Sequence, residues 1–545
     1  MSVETPREAI REWLAEPLRS FIADAGGEVP TIAIERSARP EHGDFALNAA
    51  FQLARTLRRK PLDIAGELAA RLAPGGPVAA VEVAPPGFIN LRLDDGWLLR
   101  RLPEVVAEGA AWGGSTFGGG QTVQVEFVST NPTGPLLVSH GRGAVVGDTV
   151  ARILAFTGHA VQREFYINDA GRQVELFGRS LLAAKRGDPV PEGGYEGAYV
   201  KELAANLPPT MLEGDPAAVL TAVTEWGVRH FLEEFREELK TIGVEFDAWF
   251  SERQLYGPWE QETMAELEAR GLVSRHDGAT WMVLPDKEDV LYKSTGDPTY
   301  FCGDLLYHRD KLVRRRFDRA IDVWGADHQN QVRRLKLALE AMGVEPGRLD
   351  IILIQLVHLR DERGLVKLSK RRGNIVGLRE LVDAVGPDST RYHYLLRSVD
   401  NMMDFDIALA VKQDNENPVF YAQYAHARLC SVRAVARESG ITPDAGRLER
   451  LVAPDELALA RELLELPEVV ERAARELAPH VLPHYAQRLA ERVHGWYHSG
   501  NDDTSLRIVV DDRELSAARL VLAEAARTTM ANLLGLMGVS APERM

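Results

Sequence analysis

Gln121-Thr122-Val123-Gln124-Val125-Glu126-Phe127-Val128-Ser129-Thr130-Asn131-Pro132-Thr133-Gly134-Pro135 opens a pattern that the rest of the chain completes. Val123, Val125 and Phe127 alternate with Gln124 and Glu126, the period of a strand. The loop from Ser129 to Pro135 ends it. Val145, Val146, Thr149, Val150, Ile153 and Leu154 then recur at helical spacing, and Gly158 stops the helix. Val161, Phe165 and Ile167 open a second strand. Strand, helix and strand in this order make a β-α-β unit, hence a parallel sheet with a nucleotide crevice at its strand ends. Residues 320–324 and 351–356 add two more short buried-strand patterns, each followed by polar residues. Gly141, Gly143 and Gly147 do not form G-x-G-x-x-G, because position 146 is Val146. A dinucleotide-dependent dehydrogenase is therefore excluded.

The core is expected over residues 121–415, with a charged, mostly helical insertion at about 172–290. Before it, residues 1–112 read as a small α+β unit. Residues 64–72 and 103–108 are helical there, and residues 81–83 and 88–93 are strands around Pro85-Pro86-Gly87. Gly113-Gly114 and Gly118-Gly119-Gly120 mark a linker. After it, residues 416–545 read as a helical bundle. Leu466, Val469, Val470, Ala473 and Leu477 keep helical spacing behind a Pro467 placed at a helix start.

Composition narrows the class. The 545 residues are 45% hydrophobic and 26% charged, an ordinary globular balance. Two distant cysteines, Cys302 and Cys430, exclude a disulfide framework and a cysteine-built zinc site. They read as small buried hydrophobes in a reducing compartment. The apolar run around residues 351–357 is far short of a membrane span. With no signal-like N-terminus, a cytoplasmic protein is expected. The net charge of −16 argues against a general nucleic-acid coat but leaves room for a nucleic-acid enzyme, since phosphate contacts are local. Basic clusters such as Arg58-Arg59-Lys60 and Arg314-Arg315-Arg316 each read, alone, as solvated surface.

The strongest chemical signal is Lys367-Leu368-Ser369-Lys370. Two lysines three apart suit charge developing on a leaving pyrophosphate. With Glu126 to Pro135, this loop resembles the class I aminoacyl-tRNA synthetases, and more closely the arginyl-tRNA synthetase family. The resemblance is also carried by Tyr166-Ile167-Asn168-Asp169-Ala170-Gly171, Tyr300…Asp304, Trp324-Gly325-Ala326-Asp327-His328, Asn417 to Arg428 and the terminal residues 538–545. It implies a Rossmann-like nucleotide-binding core, an N-terminal α+β domain that touches the tRNA elbow and a C-terminal helical anticodon-binding domain.

The resemblance implies a monomeric ligase of L-arginine, ATP and tRNA(Arg), working through an arginyl-adenylate. Magnesium would arrive with ATP, without a structural metal. Its arginine-binding positions fall on Glu126, Asn131, Tyr300, Asp304 and His328. A guanidinium carries five donors and needs such acceptors. Asp304 is the candidate clamp, Tyr300 packs on or bonds the substrate, and Asn131 holds its α-amino or carboxylate end. ATP falls to His140, Gly325, Asp327, Lys367, Ser369 and Lys370, of which His140, Lys367 and Lys370 are catalytic candidates. Tyr424, Arg428 and Trp496, with Tyr421 and Tyr497, are candidates to stack on unpaired anticodon bases.

Two motifs depart from the family. Leu137-Val138-Ser139-His140 stands where His-x-Gly-His is expected, and Ser516-Ala517-Ala518-Arg519 where Asp-Ala-Leu-Arg is expected. The first leaves open a catalytically impaired relative that retains tRNA binding. A further alternative is a nucleotidyl-transferring enzyme that uses no tRNA.

Overall fold

In a computed structural model the strand read from Val123 and Val125 spans Thr122–Glu126 and lies in the middle of a five-stranded sheet. The structure describes residues 3–25, 32–37, 39–361, 364–365 and 377–545. In spatial order the sheet runs Leu349–Ile354, Arg319–Gly325, Thr122–Glu126, Ala160–Ile167 and Ala248–Ser251, all parallel. Chain order reverses at Thr122–Glu126. The second strand in sequence lies on one side of it and the fourth on the other. Connections leaving in opposite directions open a crevice at the strand C-termini, between Glu126 and Gly325.

The helix Val138–Phe156 crosses from the first strand to the second. Its glycines serve packing. A Cβ on Gly147 would stand 2.2 Å from the Phe127 ring, and one on Gly141 would stand 2.5 Å from Leu378.

The 172–290 stretch is less helical than expected. Ala248–Ser251 adds the edge strand of the central sheet. Val273–His276, Ala279–Val283 and Glu288–Tyr292 form a separate antiparallel sheet. Its first hairpin turns at Asp277-Gly278, with φ of 54° and 75°. Asp-Gly supplies this pair of left-handed residues readily, because glycine has no Cβ and aspartate tolerates the region.

The N-terminal unit is a four-stranded antiparallel sheet under the helices Pro6–Ala25, Ala49–Leu57 and Pro61–Ala69. The C-terminal unit is built from Pro418–Glu438, Pro454–Leu463, Leu466–Glu476, Val481–Asp502 and Arg513–Leu536. The glycine-rich segment between the first unit and the core is no free tether. Ser115 N donates to Phe156 O (3.2 Å), Gly118 N to Thr157 O (2.7 Å) and Gly120 N to Gly158 O (2.9 Å). The first and last units also touch. Trp112 Nε1 donates to Thr529 Oγ1 (3.0 Å), Arg461 pairs with Asp44 (2.9 Å) and Asp95, and one apolar core runs through all three units. Cys302 is buried, whereas Cys430 is partly exposed.

Candidate active site

Strand register places three carboxylates side by side beneath the crevice. Asp322 lies beside Glu126, and Glu126 beside Glu164. All three are buried. One segment compensates them: the helix Tyr300–Arg309, the wider turn Asp310–Arg314 that continues it, and Arg315 just after it. Lys311 Nζ donates to Glu126 Oε2 (2.5 Å) and Asp322 Oδ1 (2.8 Å). His308 Nε2 meets Asp322 Oδ2 at 2.5 Å. Arg315 forks onto both oxygens of Glu164 (2.5 and 2.8 Å), and Tyr307 adds its hydroxyl (2.6 Å). Burial would raise the Asp322 carboxyl, but Lys311 and His308 outweigh it and hold it down at about 2. Glu126, His308 and Asp322 bring ligand atoms within 4.8 Å of one another, a spacing that would suit a metal. The Lys311 ammonium already sits on both carboxylates, so the cluster is an ion-pair network.

Asp304 differs. It lies one helical turn before His308, and among the described residues its carboxylate has no hydrogen-bond or ion-pair partner. Burial raises its carboxyl above the usual range, with His308, Arg334 and His328 pulling the other way from a distance. Glu252 stands nearby. Its Oε1 and the Tyr256 hydroxyl both lie 3.7 Å from where a Gly303 Cβ would be. Glu252 accepts from Tyr256 (2.7 Å). Burial raises its carboxyl too, and Asp169 and Asp304 add to that. Two raised carboxylates, with no cation among the described residues against them, make a receptor for a planar cation. The sequence reading missed Glu252. One Glu after a four-residue strand carries no pattern of its own. Tyr300 opens the same helix and is 71% exposed, at the mouth of this space rather than in the core.

The loop after the first strand is strained. Val128 has φ 70° and Ser129 φ 36°, left-handed values that a β-branched residue rarely adopts. The second strand holds this conformation. Tyr166 N donates to Ser129 Oγ (3.1 Å), and Asn168 Nδ2 to Ser129 O (3.2 Å). Asn131 Nδ2 then donates to Gln173 Oε1 (2.6 Å). His140 lies in the first turn of the helix that follows. Its Nδ1 accepts from the Leu137 backbone N–H (3.0 Å), so Nε2 carries the proton, 3.4 Å from Thr130 Oγ1. Burial lowers the ring to about 4, and it is neutral at pH 7. The Ser139 hydroxyl has no hydrogen-bond partner among the described residues.

Gly325 ends its strand, and Asp327 and His328 form the turn Ala326–His328 beyond it. His328 Nε2 lies 3.6 Å from Asp327, and both are largely solvent-facing. Lys367, Ser369 and Lys370 lie outside the described residues.

In the bundle, Arg428 stacks between Tyr424 and Tyr497, 4.6 and 4.3 Å from the ring centres. Its Nη1 donates to His494 Nδ1 (2.8 Å), and His494 Nε2 donates to Tyr421 O (3.1 Å). Trp496 must be withdrawn as a stacking residue. It is 2% exposed, on the core face of its helix with Leu489 and Val493, while Tyr497 turns outward. A cavity of about 560 Å³ opens at the start of the Pro418–Glu438 helix, lined among others by Asp388, Lys412, Phe420, Gln423 and Met545. The altered Ser-Ala-Ala-Arg tetrad holds the fold. Ser516 Oγ bonds Val510 N (2.9 Å), and buried Arg519 pairs with Glu456 (2.6 Å) and donates to Arg507 O (2.6 Å).

The chain resembles known proteins along nearly its whole length. Residues 7–93 match the family described as arginyl tRNA synthetase N terminal domain. Residues 102–189 match tRNA synthetases class I (R), catalytic domain, and residues 422–545 the DALR anticodon binding domain. An arginine–tRNA ligase of Dehalococcoides mccartyi (strain CBDB1) is 40% identical over 98% of this chain and 99% of its own. That of Syntrophotalea carbinolica is 43% identical over 99% and 100%. The solved arginyl-tRNA synthetase of Thermus thermophilus superposes with a TM-score of 0.78 at 24% identity, covering 99% of this chain and 100% of its own, which shows a shared fold.

Proposed function

The chain belongs to the arginyl-tRNA synthetase family, and we propose that the crevice between Glu126 and Gly325 is where it activates arginine. It ligates L-arginine to tRNA(Arg) with ATP, through an arginyl-adenylate. A carboxylate oxygen of arginine bonds to the α-phosphorus and pyrophosphate leaves. A hydroxyl of the 3′-terminal ribose then bonds to the carbonyl carbon and AMP leaves.

The observation that carries the residue assignment is the Asp304 carboxylate beside Glu252, without an ion-pair partner among the described residues. The guanidinium enters between them, Tyr300 closes over it, and Asn131 holds the α-amino or carboxylate end. Glu126 acts as a paired wall of the pocket, with Lys311 on it, and His328 lines the opposite rim. His140 offers its Nε2–H to a phosphate oxygen. Its orientation comes from the backbone of Leu137, not the side chain, so the change at position 137 gives no support to an impaired relative. Gly325 and Asp327 sit where the adenosine would lie. Lys367, Ser369 and Lys370 are assigned to the departing pyrophosphate. Magnesium comes with ATP, bound through phosphate oxygens.

For tRNA, Tyr424, Arg428 and Tyr497 form the stacking platform of the anticodon domain. In the N-terminal unit, Phe88 is exposed and rests on Phe51 (ring centres 4.9 Å apart), and Gly87 before it packs on Pro61, next to Lys60. We assign it to the tRNA elbow. No helix among the described residues is long and apolar enough to cross a membrane, and we place the enzyme in the cytoplasm. Charging of total tRNA with each of several labelled amino acids tests the proposal. Arginine alone should be transferred. Transfer of another amino acid, or none, overturns it.

A further inference from the structure

Arg142 lies two residues after His140 and is entirely buried. Its guanidinium makes no ion pair among the described residues, and the Asp400 carboxylate acts on it only from a distance. It donates instead to three backbone carbonyls: Gln355 O (2.9 Å), Asn401 O (3.0 Å) and Ser398 O (2.9 Å). Gln355 directly follows the strand Leu349–Ile354, whose last residue pairs in register with Gly325 at the crevice. Residues 398–401 belong to the loop that pairs with this strand end: Gln355 N donates to Val399 O (3.1 Å), and Met403 N to Leu356 O (3.0 Å). One side chain thus cross-links three stretches of backbone that no continuous element joins.

A buried cation that hydrogen-bonds to carbonyls, with no carboxylate in contact among the described residues, costs more than an apolar residue of the same volume. Packing alone would favour such a residue. What a guanidinium adds is a rigid planar fork that fixes several acceptors at once. The same helical turn is clasped from a second side. The Tyr394 hydroxyl donates to Val138 O (2.7 Å), and Leu378 N donates to Leu136 O (2.9 Å). The clamps converge on the turn that carries His140 and on the strand end facing it.

We propose that Arg142 is a positioning residue for the ligation, fixing the distance between the His140 turn and the strand end across the nucleotide crevice. This rests on the crevice being the activation site. Arg142 touches no substrate. It acts by holding the His140 donor where the crowded α-phosphate forms. A misplacement of about 1 Å can cost about a hundredfold in rate.

The test is arginylation by wild type, Arg142→Lys and Arg142→Ala, with ATP and arginine varied separately, beside thermal melts. Lysine can reach only part of the three-carbonyl set. Arg142→Lys should lower kcat about ten- to a hundredfold and leave the KM for arginine within about twofold, while folded at the assay temperature. Arg142→Ala should be lower still. Wild-type kcat in a folded Arg142→Lys, with only a lowered melting temperature, overturns the proposal. Should both variants fail to fold, Tyr394→Phe removes one hydroxyl from the same turn. It should lower kcat severalfold with the KM for arginine unchanged, and an unchanged kcat overturns the proposal. Absence of arginylation by the wild type would instead refute the assignment of function.

Discussion

Asp304→Asn replaces a carboxylate by an amide of nearly the same shape. In the free protein the Asp304 carboxylate has no partner among the described residues, and burial holds its carboxyl above the usual range. In the proposed binding mode it faces the guanidinium of arginine. A charge-assisted hydrogen bond contributes about 1.5–3 kcal/mol. At about 1.4 kcal/mol per decade, the KM for arginine should rise by about one to two orders of magnitude. Stability should move the other way. A carboxyl raised in the folded state carries no penalty below its unfolded value of about 3.9, and a growing one as pH rises through its folded value. The variant should therefore melt at or above wild type at pH 7, with that advantage vanishing near pH 4. The assays are arginylation at saturating ATP and tRNA with arginine varied, and melts across that pH range. An unchanged KM for arginine, or a variant clearly less stable at pH 7, would refute the reasoning.

If the nucleotide takes the Ser139 hydroxyl as a partner, Ser139→Ala should raise the KM for ATP about two- to tenfold without affecting the melt, because the hydroxyl has no described protein partner to lose; an unchanged KM removes it from the site. Arg428→Ala should raise the KM for tRNA about tenfold and flatten its salt dependence, whereas Trp496→Ala should destabilise the fold by about 3–5 kcal/mol; a fully stable Trp496→Ala with impaired tRNA use would reverse the two roles. His140 is held near 4, so it should stay neutral and leave kcat without a histidine inflection of its own between pH 6 and 8. Its depressed value also favours the folded state above about 6.5 and loses that advantage as pH falls toward 4, so His140→Gln should flatten the acid limb of the stability curve.

The β-α-β unit was legible because Val123, Val125 and Phe127 alternate and the crossover helix is long and apolar. The edge strand Ala248–Ser251 was not. Four half-buried residues carry too little periodicity to stand out beside a 26-residue helix. The Asp277-Gly278 hairpin carried a recognisable turn signal that a helical reading of the surrounding charge obscured. In the site, the motif residues Glu126, Tyr300, Asp304 and His328 gather at one crevice. What spacing could not reveal is which carboxylates are already spent. Lys311, Arg315 and His308 come from one helix and the turn after it, and they meet Asp322, Glu126 and Glu164 only because three strands lie in register. Trp496 and Tyr497 are adjacent in sequence, and only the helix phase shows that the first is core and the second is surface.

The altered signature Leu137-Val138-Ser139-His140 shows how function can outlast a change of side chain. The part of residue 137 that orients His140 is its backbone N–H, which every residue but proline supplies. That N–H is held in place by the clasp around it, since Leu137 bridges Gly377 and the next residue's carbonyl accepts from Tyr394. A histidine at 137 would add one more donor to the crevice but would not be needed to aim the donor at 140. At position 139 glycine would allow closer approach of the nucleotide to the backbone, and serine exchanges that approach for a hydroxyl. The two changes are therefore of different kinds. The first leaves the geometry of His140 unchanged, and the second alters what the nucleotide meets. Sensitivity to substitution should follow that division, with Leu137→Ala milder than Ser139→Ala in the KM for ATP.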